Sequence, residues 1–382
     1  MIHCAASTYW VESSFASFGV SVLLTGIIIP QILLIAFRKK LFDKQDSRKI
    51  HQGIVPRLGG IAFLPSIFIS LAAVIGCNLR FGGDTMPEAL SSCIVPLCFL
   101  ICASLMLYLV GIADDLVGVR YRAKFIVQIL SAAFLITSGL YVKDLYGLFW
   151  LNMVDPWFGW LSTIFLVVYV VNSVNLIDGI DGLAAGLCAL ALAFYSIVLF
   201  SQGYYIYCLI GCASIGTLIP FLYYNVFGSA KKRNKIFMGD TGSLTSGMIL
   251  VFLCIIVLQE PPTADILENF NPVILAISPL VVPCFDTVRV TLHRIMHHRN
   301  PFLPDRSHIH HKLLAVGMSS GKALSMILLL SLFFMAFNFW LSMMTDPTLI
   351  LLCDIIIWTI FNIFLTSLIH KREKQLGRKL YD

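Results

Sequence analysis

Charge is what this chain has least of. Asp, Glu, Lys and Arg supply 13% of its 382 residues, against 58% hydrophobic residues. That balance excludes a soluble globular domain. Its eleven cysteines are odd in number, fall mostly inside apolar runs and form no Cys-x-x-Cys pair, which argues against a disulfide framework or a zinc ribbon. They read as small core residues. No Gly/Ser linker, low-complexity tract or internal repeat divides the chain, so residues 1–382 are expected to form one domain. No basic stretch precedes the first apolar run, and Arg38-Lys-Lys40 follows it instead. This suits an uncleaved first span with its N-terminus outside, not a signal peptide.

Apolar runs of membrane-crossing length fill the rest. A bilayer core needs about 20 apolar residues per helix, and scanning at that length predicts an all-α integral membrane bundle of about eleven spans. They lie at roughly 16–37, 59–77, 92–111, 125–142, 157–173, 182–201, 204–223, 243–258, 272–291, 322–344 and 347–369. With the N-terminus outside and the C-terminus cytoplasmic, 23 of the 27 lysines and arginines fall in inside loops or the inner tail, as the positive-inside rule requires. The net charge of +6 adds little, because such residues also serve topology and bind anionic headgroups.

The few carboxylates are not scattered. They gather at span ends in Asp114-Asp115, in Asn172-Ser-Val-Asn175-Leu-Ile-Asp178-Gly-Ile-Asp181-Gly182 and in Phe237-Met-Gly-Asp240-Thr-Gly-Ser243. A fourth cluster, Asp305-Arg306-Ser-His308-Ile-His310-His311, adds histidines. Ionisable groups at membrane boundaries are costly and point to function, and the topology puts all four clusters on the cytoplasmic side. Adjacent helical side chains project about 100° apart, so Asp114 and Asp115 are expected to face different partners: a metal or phosphate for one, a lysine or backbone amide for the other. In the second cluster polar groups recur every three residues, and such hard oxygen donors suit Mg²⁺; Asp181 alone also suits the cap of the following helix. The third opens a span with glycines flanking Asp240, where amides at a helix N-terminus favour anions, but the P-loop spacing is absent.

Six of the nine histidines lie between residues 292 and 321: His293, His297, His298, His308, His310 and His311. Zinc is the obvious rival ligand. Arg294, Arg299, Arg306 and Lys312 are interleaved, however, and fixed cations repel a dication and attract phosphate, which favours a pyrophosphate site. Asp286 and Arg289, spaced i,i+3, read as a structural pair.

Together these motifs resemble the polyprenyl-phosphate N-acetylhexosamine-1-phosphate transferases, specifically the WecA/TagO-like branch. The matching segments are Arg48-Lys-Ile-His51, Pro56-Arg57-Leu-Gly-Gly60, Asp114-Asp115 with Lys124, the Asn172–Gly182 run, Phe237–Ser243 and Pro301–His311. They cover roughly residues 40–320. The His-Ile-His-His form differs from the His-His-His-Phe-Glu pattern of the related MraY translocases. The resemblance implies attack by undecaprenyl phosphate on the β-phosphorus of a UDP-N-acetylhexosamine, GlcNAc foremost, with Mg²⁺ as cofactor and Mn²⁺ able to substitute. The products would be a lipid-pyrophosphoryl-sugar and UMP, initiating cell-surface polysaccharide synthesis at a bacterial inner membrane with the site facing the cytoplasm.

Residue by residue, the resemblance makes Asp240 the principal metal ligand and Asn175 a second. Phe237 would stack on uracil, Lys124 would contact phosphate, and Arg306 with His308, His310 and His311 would hold the diphosphate. Asp178 and Asp181 would line the nucleotide side, with Asn172 among the substrate contacts. Asp114 and Asp115 would activate or orient the acceptor. A phosphate monoester is largely a dianion at neutral pH, so positioning is favoured over proton abstraction for that pair. Expected partners are the two substrates and the bilayer; a homodimer is admitted and no nucleic acid is expected. The alternative reading is a divalent-cation transporter, which predicts mid-span acids and broken, repeat-related helices.

Overall fold

The computed structural model describes residues 2–41, 55–81, 85–259, 270–298 and 307–381. Among these the protein is helical apart from one isolated bridge between Asp144 and Met153. Thirteen α-helices follow one another: α1 Ile2–Lys39, α2 Phe63–Phe81, α3 Thr85–Val117, α4 Tyr121–Thr137, α5 Pro156–Ile177, α6 Leu183–Ser201, α7 Tyr205–Val226, α8 Gly239–Gln259, α9 Pro272–Ile277, α10 Val281–Met296, α11 Ile309–Val316, α12 Ser320–Leu341 and α13 Pro347–Leu376. A 3₁₀ turn over Gly59–Ala62 leads into α2, and another over Ser278–Leu280 joins α9 to α10.

By length and composition, ten helices among the described residues can cross a membrane. The remaining expected crossing, 125–142, is taken by α4, whose 17 residues make about 25 Å of helix, at the short end of what spans a bilayer. It stops early because Gly139 turns the chain with φ of 89°, so the last apolar residues of that run leave the helix. Outward faces carry large exposed hydrophobics such as Leu23, Ile27, Leu109 and Ile363, a surface that lipid tolerates and water does not.

The organising element is α8. A helix apolar on every face belongs at the centre of a bundle, and the hydrophobic stretch of α8 is wholly buried, packed by α3, α5, α6 and α9. Small residues allow the close approach: a Cβ at Gly247 would stand 2.9 Å from Cα of Val171 on α5. The N-terminus of this central helix carries Asp240.

Two acids break the rule that carboxylates sit only at span ends. Asp286 is fully buried in α10, inside the broken crossing formed with α9. Asp354 is fully buried in α13, where its Oδ2 accepts from Asn338 Nδ2 at 2.8 Å.

Candidate active site

The site begins with a backbone contact. Phe237 N donates to Pro56 O, Gly59 N to Phe237 O and Gly60 N to Met238 O, each at 2.9 Å. This pairing presses Gly60 onto the first turn of α8 so closely that a Cβ there would collide with the backbone of Gly242. Gly239 takes φ of 72° to enter the helix, which glycine does without strain. The same turn delivers Arg57, whose Nη2 lies 3.9 Å from Asp240 Oδ1. Phe237 itself is partly exposed.

Asp115, at the end of α3, reaches across to cap α8. Its Oδ1 accepts from Asp240 N at 2.8 Å, and its Oδ2 accepts from Thr241 N at 2.9 Å and Thr241 Oγ1 at 2.6 Å. Two of the helix's orphan amides are thereby satisfied. A carboxylate at the C-terminus of one helix opposes its dipole; seated on the N-terminus of another, it gains from that second dipole.

Asp114 points elsewhere. Its Oδ1 accepts from Val119 N at 2.7 Å and its Oδ2 pairs with Lys124 Nζ at 2.9 Å. Lys124 Nζ also donates to Asp240 Oδ2 at 2.5 Å, so one ammonium bridges two carboxylates. The divergence of Asp114 and Asp115 expected from helical geometry is present. Even so, oxygens of Asp114, Asp115 and Asp240 all lie within 4.8 Å of one another. Three carboxylates beside Lys124 and Arg57 leave one surplus negative charge, and hard oxygen donors this close together suit a small dication. The residues present therefore fit a metal.

The α5–α6 turn forms the adjoining wall. Asp178 caps the end of α5 and is open to solvent, yet the surrounding protein mass and the nearby Asp240, Asp181 and Asp115 charges push its carboxyl up to about 7, against the pull of Arg57. Asp181 does not cap α6. Its Oδ2 pairs with Lys235 Nζ at 2.6 Å, and the Gly182 amide donates instead to Asn225 Oδ1 at 2.6 Å. Asn175 donates through Nδ2 to Ser243 Oγ at 2.8 Å, which leaves Oδ1 as its only metal-ligating atom. Asn172 is engaged in packing: its amide pairs reciprocally with buried Gln128 of α4, at 2.7 and 3.3 Å, and donates to Val168 O.

The histidine segment closes the site from the far side of the sequence. Asp286 orients it, with His308 Nδ1 at 2.9 Å from Oδ2 while Ile309 N donates to Oδ1 at 3.0 Å. Arg289 pairs with the same Oδ1 at 2.7 Å, as its i,i+3 spacing led one to expect. The His308 and His310 rings are parallel, with centroids 5.7 Å apart, and His311 stands 4.2 Å from His310. His310 is only 1% exposed, and among the described residues neither of its ring nitrogens has a hydrogen-bond partner. It packs against Gly179, where a Cβ would overlap the imidazole. Burial and the neighbouring His311 and His308 hold its pKa well below the usual histidine value, so it is neutral at pH 7. Arg306 lies outside the described residues.

Three groups escaped sequence reasoning: Arg57, Gln128 and Lys235. Arg57 stands within a recognised motif without a role, and Lys235 counts only among the cations of the inside loops. Nothing local marked Gln128 as the partner of Asn172.

Comparison with known proteins reads this geometry. Residues 97–258 match the model of glycosyl transferase family 4. A probable undecaprenyl-phosphate N-acetylglucosaminyl 1-phosphate transferase of Bacillus subtilis is 31% identical over 349 residues, 89% of this chain and 90% of the relative. The chain belongs to glycosyl transferase family 4. It is a member of the polyprenyl-phosphate N-acetylhexosamine-1-phosphate transferases within that family. Undecaprenyl-phosphate α-N-acetylglucosaminyl 1-phosphate transferases of Yersinia pestis (32% over 298 residues, 77% of this chain and 75% of the relative) and Escherichia coli K12 (28% over 319 residues, 81% and 80%) are also similar. The family match takes in α8 and the Asp114, Asp115, Lys124 and Asp178 positions, and ends before the histidine segment.

Proposed function

We propose that the protein transfers N-acetylhexosamine-1-phosphate, with GlcNAc the first candidate, from its UDP derivative to undecaprenyl phosphate, releasing UMP. The observation that carries the reading is the Asp114–Lys124–Asp240 bridge, locked by Asp115 to the N-terminus of the central helix, in a chain of this family.

An oxygen of the acceptor phosphate forms a bond to the β-phosphorus of the donor. The bond from that phosphorus to the α–β bridging oxygen breaks, and its electron pair leaves with UMP. The acceptor is already a dianion, so no residue need take a proton from it. Most of the work is alignment and charge neutralisation, as in phosphoryl transfer generally. Lys124 and Arg57 face the developing charge as fixed cations. Neutral His310 offers an N–H without adding a charge that would compete with them, and the Asp181–Lys235 pair fixes the turn that carries Asp178. Asp240, with Asp114 and Asp115 at hand and Asn175 Oδ1 nearby, would hold Mg²⁺, which when bound neutralises diphosphate charge.

An apolar cavity supports the lipid acceptor. A cavity of ≈ 880 Å³ lies between α10 and α13, lined by apolar Phe285, Leu292, Ile355, Trp358 and Ile363, with Arg289 and Lys312 at its border. Arg289 joins it directly to Asp286 and the histidine segment. The bias of lysine and arginine supports an N-terminus outside and a cytoplasmic site, and the bacterial relatives support a bacterial inner membrane.

The test is UMP release by purified protein given undecaprenyl phosphate and a panel of UDP-sugars. Turnover with UDP-GlcNAc that stops with EDTA and returns with Mg²⁺ or Mn²⁺ is expected. Absence of UMP across the panel, with divalent-cation flux in proteoliposomes, would replace the transferase by a transporter.

A further inference from the structure

Helix α11 carries His310 and His311 yet has only eight residues, too few to be stable alone. Its order must come from what holds it, and α13 with the chain that follows holds it at three levels. At the C-terminal end Arg372 Nη1 donates to Ala315 O at 3.1 Å, as a cation suits the negative end of a helix. In the middle Lys312 Nζ donates to Thr366 Oγ1 at 3.0 Å and Asn362 Oδ1 at 3.2 Å. At the N-terminal end the Ser307 carbonyl, one residue before His308, accepts from Arg289 at 2.5 Å and from the phenol of Tyr381 at 2.6 Å.

Tyr381 reaches that carbonyl because the chain turns back on itself. Gly377 takes φ of 62°. Glu373 Oε1 then accepts from Leu380 N at 2.7 Å and Tyr381 N at 3.2 Å, while Glu373 Oε2 is held by His370 Nδ1 at 3.1 Å. The fold-back lays the Tyr381 ring 5.8 Å from Lys312 Nζ. Burial and Arg289 draw Lys312 down to about 8, so an aromatic face favouring its charged form is a significant neighbour. His370, Glu373, Gly377, Leu380 and Tyr381 lie beyond the segments that carry the family resemblance.

We propose that Tyr381 is a positioning residue: by holding the Ser307 carbonyl and covering Lys312, the fold-back after α13 sets the orientation of His308, His310 and His311 toward the donor diphosphate. The inference rests on the transferase reading for its kinetic consequence, though not for the clamp itself.

Tyr381→Phe removes only the O–H; Tyr381→Ala removes the ring as well; Arg378→Ala, at an exposed site in the same fold-back, is the control. In full-length protein in nanodiscs, kcat/KM for the sugar nucleotide should fall about 3- to 10-fold for Tyr381→Phe, the worth of one hydrogen bond. The fall should be about 10- to 50-fold for Tyr381→Ala, which also uncovers the cation, and absent for Arg378→Ala. Amide hydrogen exchange over residues 307–316 should accelerate in the two Tyr381 variants while the rest of the bundle and the melting temperature stay at wild-type values. Wild-type exchange and kinetics in Tyr381→Ala would overturn the proposal, as would acceleration spread over the whole bundle with a lowered melting temperature. Should wild-type protein transfer nothing, the transferase reading falls, and the exchange comparison alone still decides the clamp.

Discussion

Replacing Asp115 by asparagine keeps the shape of the side chain and takes away one acceptor. Both carboxylate oxygens receive backbone amides of α8, and one also receives the Thr241 hydroxyl. An asparagine can satisfy one side only; its NH₂ must then face an N–H. The loss is one charge-assisted hydrogen bond, about 1.5–3 kcal/mol, plus the interaction of an anion with the helix dipole, about 0.3–1 kcal/mol. A destabilisation of about 2–4 kcal/mol follows. The helix terminus that shifts carries Asp240, so transfer should fall about 10- to 100-fold, with measurable residual turnover and the same shape of pH–rate profile. Thermal unfolding in detergent and UMP release over pH 6–9 report the two effects. A variant as stable as wild type that has lost all turnover would refute the holding role and make Asp115 a proton acceptor or essential ligand instead.

Lys124→Met removes the cation between Asp114 and Asp240 and leaves the two carboxylates facing each other; activity should drop at least about 100-fold, and wild-type turnover would remove Lys124 from the site. Gly60→Ala drives a methyl into the backbone of Gly242, so it should lower stability by about 1–3 kcal/mol; an unchanged melting temperature would contradict the close packing of the Pro56–Gly60 turn on α8. The carboxyl of Asp178 is pushed up from 3.8 to about 7, so the folded protein binds this proton more tightly than the unfolded chain. Its ionisation therefore costs stability as pH rises from about 4 to 7. Asp178→Asn should flatten that decline in melting temperature, and an identical decline in the variant would show that Asp178 does not cause it.

The scarcity of charge makes most of this site legible in the sequence itself. In a chain so apolar, Asp114, Asp115, Asp178, Asp181 and Asp240 stand out at the ends of spans, and the lysine and arginine bias predicts those ends on one side. What sequence does not show is partnership. Asp115 caps a helix that begins 124 residues later, and Asp286 orients a histidine 22 residues on. Such pairings leave no periodic trace, because each depends on how distant helices cross. The same holds for Asn172, whose polar spacing with Asn175 suggests a shared face although Gln128 takes its amide. The span boundary errs at α4, where a hydropathy window runs past the turn at Gly139 that ends the helix. Asp354 escapes notice because a single acid within a long apolar run hardly lowers its average; only its buried contact with Asn338 reveals it.

The central claim is that the N-terminus of α8 is where phosphorus changes hands. UDP-GlcNAc labelled at the β-phosphorus, incubated with undecaprenyl phosphate and Mg²⁺, tests it directly when wild type is compared with a folded Asp240→Ala variant. The account predicts label in the lipid phase and unlabelled UMP for wild type, with no lipid-phase label for Asp240→Ala. Transfer by Asp240→Ala at the wild-type rate, or label left in a water-soluble product by the wild type, would contradict it.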